Sequence, residues 1–241
     1  MALVVDTVNI YDPQYVSKLF AEMSATYGMM NLITSFGFTA AWRRFCVESL
    51  PVHTSRNCAD LMSGMGEVIP TLSKFLPELQ SVTALDLCPT MCRKILSNHG
   101  QLPISLTVLE EDVFNSTMHD NQFDTVVSSF GLKTFSPQQQ RELAGVVNKI
   151  LKPGGVFAFV ELSVPRCKLL KTPLLFYLRY IIPLLGRMFL GNPENYRMLS
   201  VYTEKFENAE FFLSCLKNEG LETRYVSRFF GCATGVVGRK R

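Results

Sequence analysis

The feature that most constrains the fold is a glycine-containing segment that is followed by a second acidic residue. Residues 59–67 read Ala-Asp-Leu-Met-Ser-Gly-Met-Gly-Glu, and Asp86 follows twenty residues after Gly66. Apolar residues precede Asp60, a helical run follows the glycines, and a second apolar run ends at Asp86. This order predicts strand, tight turn, helix and strand, the first half of a nucleotide-binding α/β sheet. A carboxylate at the tip of that second strand can accept both hydroxyls of a ribose.

The spacing of the glycines narrows the choice of cofactor. A dinucleotide site needs a third glycine where this chain has Ile69, which disfavours a nicotinamide dehydrogenase. A P-loop needs a Gly-Lys-Ser/Thr ending, which the segment lacks. The remaining pattern, Asp-x-x-x-Gly-x-Gly followed by an acid, resembles the first two motifs of class I S-adenosylmethionine (SAM) methyltransferases. A purely structural β-turn is the alternative explanation for so short a pattern.

Four further segments extend this resemblance over nearly the whole chain. They are residues 27–44 (Tyr-Gly-Met-Met-Asn, Ser-Phe-Gly and Trp-Arg-Arg), 123–132 (Phe-Asp-Thr-Val-Val-Ser-Ser-Phe-Gly-Leu), 151–165 (Leu-Lys-Pro-Gly-Gly and Glu-Leu-Ser-Val-Pro) and 183–199 (Pro-Leu-Leu-Gly-Arg and Tyr-Arg-Met-Leu). Together they resemble the UbiE/Coq5 methyltransferase family. The resemblance implies SAM as the cofactor, S-adenosylhomocysteine as its product, and a Rossmann-like seven-stranded class I methyltransferase fold.

The 241 residues fit one α/β domain with a sizeable core. We expect an N-terminal helical cap over residues 1–50, a cofactor-binding core over 51–165, a helical lid insertion after strand five over 166–206, and a closing helix and strand hairpin over 207–241. The predicted strands are 57–61, 82–86, 105–109, 125–129, 156–161, 222–229 and 233–237. The predicted helices are 13–23, 30–45, 67–75, 89–97, 137–150 and 208–218.

Charge and cysteine content exclude several classes of protein. A net charge of +3 from 24 basic and 21 acidic residues argues against a nucleic-acid binder. The seven cysteines are scattered without a CxxC pair, and the three histidines are far apart in sequence. We therefore expect no metal site, and reduced thiols in an intracellular, cytoplasmic protein.

Residues 169–190 form the most apolar region of the chain. Three basic residues and two prolines interrupt it, whereas a bilayer span needs about 20 mostly apolar residues. We therefore predict no transmembrane segment, and expect instead an amphipathic lid helix. Peripheral contact with a membrane and a homodimer are both left open by the sequence.

The resemblance places the cofactor residues at the carboxyl ends of the first four predicted strands. The glycine segment would hold the methionine part of SAM, the acid after strand two its ribose, the acid after strand three its adenine, and two serines the region of the methyl group. These residues are Ser63, Gly64, Met65, Gly66, Asp86, Leu87, Met91, Asp112, Val113, Ser128 and Ser129. The alternatives are a helix cap for Asp86, plain core for Met91 and a solvated turn for Asp112.

The segments that resemble the family's substrate half depart from its pattern. The Arg-Asn pair that the family uses near the substrate reads Lys133-Thr134 here, and two acids of the N-terminal motif are replaced by Gly28 and Leu32. We predict Tyr27 and Lys133 as catalytic residues, with a buried aromatic and a surface lysine as the respective alternatives. The predicted substrate residues are Tyr27, Met30, Phe130, Tyr177, Tyr196 and Met198, which core packing would also explain.

These departures favour a SAM-dependent methyltransferase that acts on carbon or oxygen of a hydrophobic small molecule in specialised metabolism. Three alternatives stay open. The first is C-methylation of a polyprenyl quinol of the ubiquinone or menaquinone type. The second is a cyclase that uses the SAM fold without transferring methyl, and the third is a non-catalytic scaffold. The retained glycines and the acids Asp86 and Asp112 argue against a pure scaffold.

Overall fold

The computed structural model describes residues 9–24, 35, 37–51, 54–188 and 192–241 of the chain. Its strands are β1 (Asn57–Leu61), β2 (Ser81–Asp86), β3 (Ser105–Glu110), β4 (Phe123–Ser129), β5 (Leu151–Leu162), β6 (Glu222–Arg228) and β7 (Ala233–Arg239). In this part of the chain the seven strands form one sheet in the order β3-β2-β1-β4-β5-β7-β6. Strands β1 to β5 pair in parallel, and β7 pairs antiparallel with both β5 and β6. The predicted α/β architecture with a closing hairpin is confirmed.

Helices cover both faces of the sheet. They are α1 (Pro13–Met23), α2 (Phe38–Glu48), α3 (Ile69–Phe75), α4 (Pro89–His99), α5 (Pro137–Ile150), α6 (Lys168–Met188), α7 (Pro193–Phe206) and α8 (Glu210–Asn218). Proline opens several of them, because the amide that it lacks has no partner in the first turn of a helix. Ser136 and Gln139 add a reciprocal capping box at the start of α5.

Among the predicted boundaries that were wrong, three have an explanation in local backbone geometry. The helix expected at 30–45 begins only at Phe38, after Gly37 with a left-handed φ of 78°, and residues 30–34 and 36 lie outside the described part. The helix expected from residue 67 begins at Ile69, because the glycine turn continues through Val68. Strand β5 begins at Leu151 rather than at 156, and its register with β4 shifts across residues 152–155. The predicted turn there is therefore a bulge within the strand.

The described part of the lid insertion contains helices α6 and α7, and α6 is continuous. Pro173 and Pro183, which interrupt the apolar region of the sequence, both lie within α6. A π-helical turn, Tyr177–Ile181, precedes Pro183. Proline has no N–H to donate within a helix, and the π-helical turn is the local change in hydrogen bonding that goes with it. By length and composition α6 could cross a membrane, but one such helix is weak evidence, so the absence of a membrane span stays a prediction. Only 17% of its most apolar window is buried.

The core has one layer on each side of the sheet. Leu143 of α5 and Phe212 of α8 pack on one face, and Cys46 of α2 and Leu72 of α3 pack on the other. The central parallel strands are buried on both faces, because helices cover the sheet on both sides. Cap helix α1 stands apart from these layers and packs on α4, beside the carboxyl end of β2.

Adjacent phenylalanines of α8 test which face of this helix belongs to the core. Phe212 is fully buried with its ring centroid 5.0 Å from that of Phe159, whereas Phe211 is 39% exposed. We expect Phe212→Ala to lower the free energy of unfolding by about 3–5 kcal/mol, because it leaves a cavity against β5. The control Phe211→Ala should cost about 1 kcal/mol or less. Denaturant titration followed by circular dichroism measures both, and equal losses would contradict this packing.

Candidate active site

A cleft of about 850 Å³, including its open mouth, lies at the carboxyl ends of the parallel strands. This first cavity is walled by the strand ends, by the turn Val113–Asn115 after β3 and by cap helices α1 and α2. Open α/β sheets bind ligands at this edge. Eight of the eleven predicted cofactor residues line it, namely Ser63, Gly64, Asp86, Leu87, Met91, Asp112, Val113 and Ser129.

The other three predicted cofactor residues do not line the cavity. Met65 packs into a small buried cluster beside it. Gly66 has a left-handed φ of 76°, and a Cβ there would lie 2.8 Å from the ring of His99, so its role is to shape the turn. Ser128 is buried in the sheet, and its hydroxyl has no hydrogen-bond partner within the described residues. Successive side chains of a strand point to opposite faces, so of the two serines only Ser129 reaches the cleft.

The carboxylate of Asp86 joins the glycine turn to the start of α4. One oxygen accepts the N–H of Gly64 at 2.7 Å, and the other accepts the N–H of Cys88 at 2.8 Å. Asp86 is therefore not the N-cap residue of α4, which is Cys88. Burial raises the pKa of Asp86 to about 6, against the opposing effect of these two hydrogen bonds. Each oxygen can accept a second hydrogen bond, as the ribose diol would require.

Asp60 stabilises the glycine turn through a side-chain hydroxyl rather than through backbone N–H groups. Its carboxylate accepts the hydroxyl of Ser63. Its other oxygen is buried without a partner among the described residues. Burial raises the pKa of Asp60 to about 7. The turn itself is fixed by a backbone bond of 2.9 Å from Ser63 N to Leu85 O.

Two residues with strained backbones stand where β1 and β4 end. Met62 and Phe130 have φ values of 52° and 68°, in the left-handed region that side chains normally avoid. Both line the first cavity, and a Cβ on neighbouring Gly131 would lie 2.4 Å from the Cβ of Met62. Such conformations cost of order 1–3 kcal/mol and occur preferentially at functional sites. The sequence gives no sign of these two backbone conformations apart from Gly131, which follows Phe130.

A second cavity of about 930 Å³, including its mouth, adjoins the first at Phe130, which lines both. Its walls are mostly apolar and come from α2, from the inner side of α6 and from the turn Phe229–Gly231. The predicted residues Phe130, Lys133 and Tyr177 line it. The walls also include Phe38, Thr39, Trp42, Leu162, Leu174, Leu178, Ile182, Leu199 and Cys232.

Lys133 is buried in the wall of the second cavity rather than exposed as a surface lysine. Its Nζ donates to Glu161 Oε1 at 2.8 Å and to Phe130 O at 2.7 Å. Its backbone N–H donates to the other oxygen of the same carboxylate at 3.1 Å. The side chains of Lys133 and Glu161 are 6% and 0% exposed, so the pair is an internal one. The sequence had not singled out Glu161 as a site residue.

The remaining predicted substrate residues are not in this wall. Tyr196 is buried against α6, where a Cβ on Gly186 would lie 2.4 Å from its ring, but it lines neither cavity. Met198 lines neither cavity. The next residue of α7, Leu199, lies in the wall of the second cavity instead. Tyr27 and Met30 lie outside the described residues, so their roles stay predictions.

The profile of the ubiE/COQ5 methyltransferase family matches residues 8–240. The chain belongs to this family. It is 27% identical to a demethylmenaquinone methyltransferase from Deinococcus radiodurans, over 95% of this chain and 93% of that protein. It is also 30% identical to a ubiquinone/menaquinone biosynthesis C-methyltransferase UbiE from Wigglesworthia glossinidia brevipalpis, over 76% and 74% of the two chains.

Solved structures share the fold. A SAM-dependent methyltransferase from Thermotoga maritima superimposes with a TM-score of 0.62 at 14% identity, covering 93% of this chain and 99% of that one. Human N-acetylserotonin methyltransferase in complex with SAM gives 0.60 at 16% identity, covering 92% and 59%. The fold is the class I methyltransferase fold, the protein is a SAM-dependent methyltransferase, and SAM is its cofactor. Asp86 at the predicted ribose position, Asp112 at the predicted adenine position and the apolar walls beside them fit that group.

The ribose assignment predicts the effect of removing the Asp86 carboxylate. We expect Asp86→Ala to weaken binding of S-adenosylhomocysteine at least about 100-fold, because two hydroxyls lose a charged acceptor. Asp120→Ala is the matched control, since that side chain is 66% exposed and pairs only with Lys149 in the described structure. Titration calorimetry measures affinity and thermal unfolding checks the fold. Unchanged affinity in a folded Asp86→Ala protein would refute the assignment.

Proposed function

We propose that this methyltransferase moves the methyl group of SAM to a ring carbon of a quinol that carries an apolar tail, as in demethylmenaquinol. The observation that carries the proposal is the junction of the two cavities at Phe130, where a donor cleft meets a second, mostly apolar space. The names of the relatives also support this alternative over the specialised-metabolism enzyme that the sequence favoured.

The chemistry divides between the cofactor and the protein. SAM supplies a methyl group on a sulfonium that is its own leaving group. The protein has to align the acceptor carbon with that methyl group and exclude water. Trp42 and Phe130, with ring centroids 6.3 Å apart, form apolar wall where the cavities meet. These rings would hold a flat aromatic acceptor in place and keep water away from it.

The acceptor also needs help to become nucleophilic. A quinol ring carbon attacks more readily when a ring hydroxyl is ionised, and after attack that carbon loses its hydrogen as a proton to restore the aromatic ring. The ammonium of Lys133 lies in the wall of the second cavity, and two of its three N–H groups donate to Glu161 and Phe130, which leaves the third to donate to an ionised hydroxyl. We assign Lys133 the role of stabilising the ionised hydroxyl, with Glu161 holding it in position. Tyr27, outside the described residues, stays a candidate for the proton relay.

Transfer of labelled methyl from SAM tests this function directly. We expect the purified protein, given demethylmenaquinol with a short prenyl tail in detergent, to place the label on a ring carbon. A methyl ether would contradict C-methylation. Binding of SAM without any transfer would favour the cyclase, and no binding at all would favour the scaffold.

A variant that fills the second cavity ties this activity to the proposed site. Thr39 lines the cavity, whereas its neighbour Ala40 is exposed on the same helix. We expect Thr39→Trp to raise the KM for the quinol about tenfold or more, with the affinity for S-adenosylhomocysteine within about twofold. Ala40→Trp should leave both unchanged. Equal effects of the two substitutions would place the acceptor elsewhere.

We also propose that the acceptor enters from a membrane surface, to which α6 binds. The inner side of this helix lines the second cavity, and its outer side exposes large apolar residues. Leu169 is 85% exposed and Met188 is 68% exposed, with Phe176, Tyr180 and Leu184 between them. The exposed cations Lys168, Lys171 and Arg187 lie along the same helix and suit anionic headgroups. An apolar substrate could then pass from lipid into the cavity past one helix.

Co-sedimentation with vesicles that contain an anionic phospholipid tests this surface. We expect the double variant Phe176→Glu, Leu184→Glu to lose most vesicle binding, because it places two charges on the apolar face. The control is Leu96→Glu on α4, where an apolar side chain is 54% exposed away from α6. Equal binding by wild type and double variant would show that α6 is not the docking face.

A further inference from the structure

Arg43 on α2 reaches into the first cavity from the cap. Its side chain is 11% exposed, and Nη2 lies 3.2 Å from Glu67 Oε1. The centre of its guanidinium is 5.4 Å from the centroid of the Phe130 ring, the wall that the two cavities share. Its Nε is buried and has no hydrogen-bond partner among the described residues. A buried donor without a partner is costly, which indicates that a ligand completes it.

The charges around the glycine turn show what that ligand must be. Asp60, Glu67 and Asp86 are close enough for Glu67 to disfavour ionisation of the other two. Among the described residues that line the first cavity, Arg43 alone is positively charged. The carboxylate of a ligand brought to this turn would be repelled by these three acids unless it also met a cation. The methionine part of SAM carries such a carboxylate beside its ammonium group.

The position of Glu67 explains how Arg43 is aimed. A Cβ on Gly64 would lie 3.4 Å from Glu67 Oε2, so the Glu67 side chain lies beside the glycine turn. Its carboxylate therefore holds the guanidinium beside the turn where the amino-acid end of the cofactor would lie. An arginine fork can donate two parallel hydrogen bonds to a carboxylate, which an isolated ammonium cannot.

We infer that Arg43 binds the carboxylate of the methionine part of SAM and that Glu67 positions it. The inference deepens the proposed function and rests on it only for the identity of the cofactor. Because Arg43 also lies on the ring of Phe130, binding of the donor would fix one wall of the acceptor cavity. Arg43 is then a residue through which cofactor binding prepares the acceptor site.

Two ligands separate this role from a structural one. S-adenosylhomocysteine has the amino-acid end, and 5′-methylthioadenosine has the same nucleoside without it. We expect Arg43→Met to weaken binding of S-adenosylhomocysteine about 10- to 100-fold and to change that of 5′-methylthioadenosine less than about twofold. Arg43→Lys, which keeps the charge without the fork, should recover part of the loss. Titration calorimetry measures each affinity, and thermal unfolding checks each variant.

The adjacent arginine provides the matched control. Arg44 is 60% exposed and pairs with Glu48, so Arg44→Met should change neither affinity. An equal loss for both ligands in Arg43→Met would show a structural role and overturn the inference, while leaving the proposed function intact. Unchanged binding of S-adenosylhomocysteine would overturn it as well. A wild-type protein that bound neither ligand would remove the proposed function and this inference together.

Discussion

The carboxylate of Asp86 is the interaction on which the rest of the site depends. It bonds to Gly64 in the turn after β1 and to Cys88 before α4, so one side chain sets the spacing of two loops. Hydrogen bonds to a charged group contribute about 1.5–3 kcal/mol each, which offsets part of the cost of burying it. The cost that remains appears as the raised pKa of this group. A carboxylate held in this way keeps one acceptor position on each oxygen for a ligand.

A second constraint is the order of the strands. In the sheet β1 lies between β2 and β4. Successive strands are added on one side of β1 up to β3 and on its other side from β4, and this reversal leaves a crevice at the carboxyl edge. The glycine turn, Asp86 and Ser129 meet in that crevice although they are far apart in sequence. The cap supplies the opposite wall, where Arg43 faces the strand ends. Helix α2, which packs on the sheet, therefore closes the first cavity on that side.

The sequence could predict the sheet because the periodicity of apolar residues and the positions of turn residues agree there. The predicted strand 57–61 and helix 137–150 coincide with β1 and α5. Left-handed φ values at Met62 and Phe130 could not be predicted, because they follow from crowding between two strand ends that only the fold brings together. The sequence could not show that Ser129 rather than Ser128 reaches the cleft, because that depends on which way each side chain of β4 points. Likewise Lys133 was a candidate from a motif, but its partner Glu161 lies on β5 and becomes visible only in the assembled sheet.

The buried pair of Lys133 and Glu161 explains how the acceptor half can diverge while its charge is kept. Removing one partner of such a pair leaves an uncompensated internal charge and typically costs about 3–5 kcal/mol, so with Glu161 in place a cation at position 133 is strongly favoured. Lysine in place of the arginine of the resembled motif satisfies that limit. It also replaces a rigid fork by a compact charge on a flexible stem, which constrains the position of an acceptor oxygen less tightly. In the function proposed above, this change would alter which quinol fits while a positive charge stays in the wall of the second cavity.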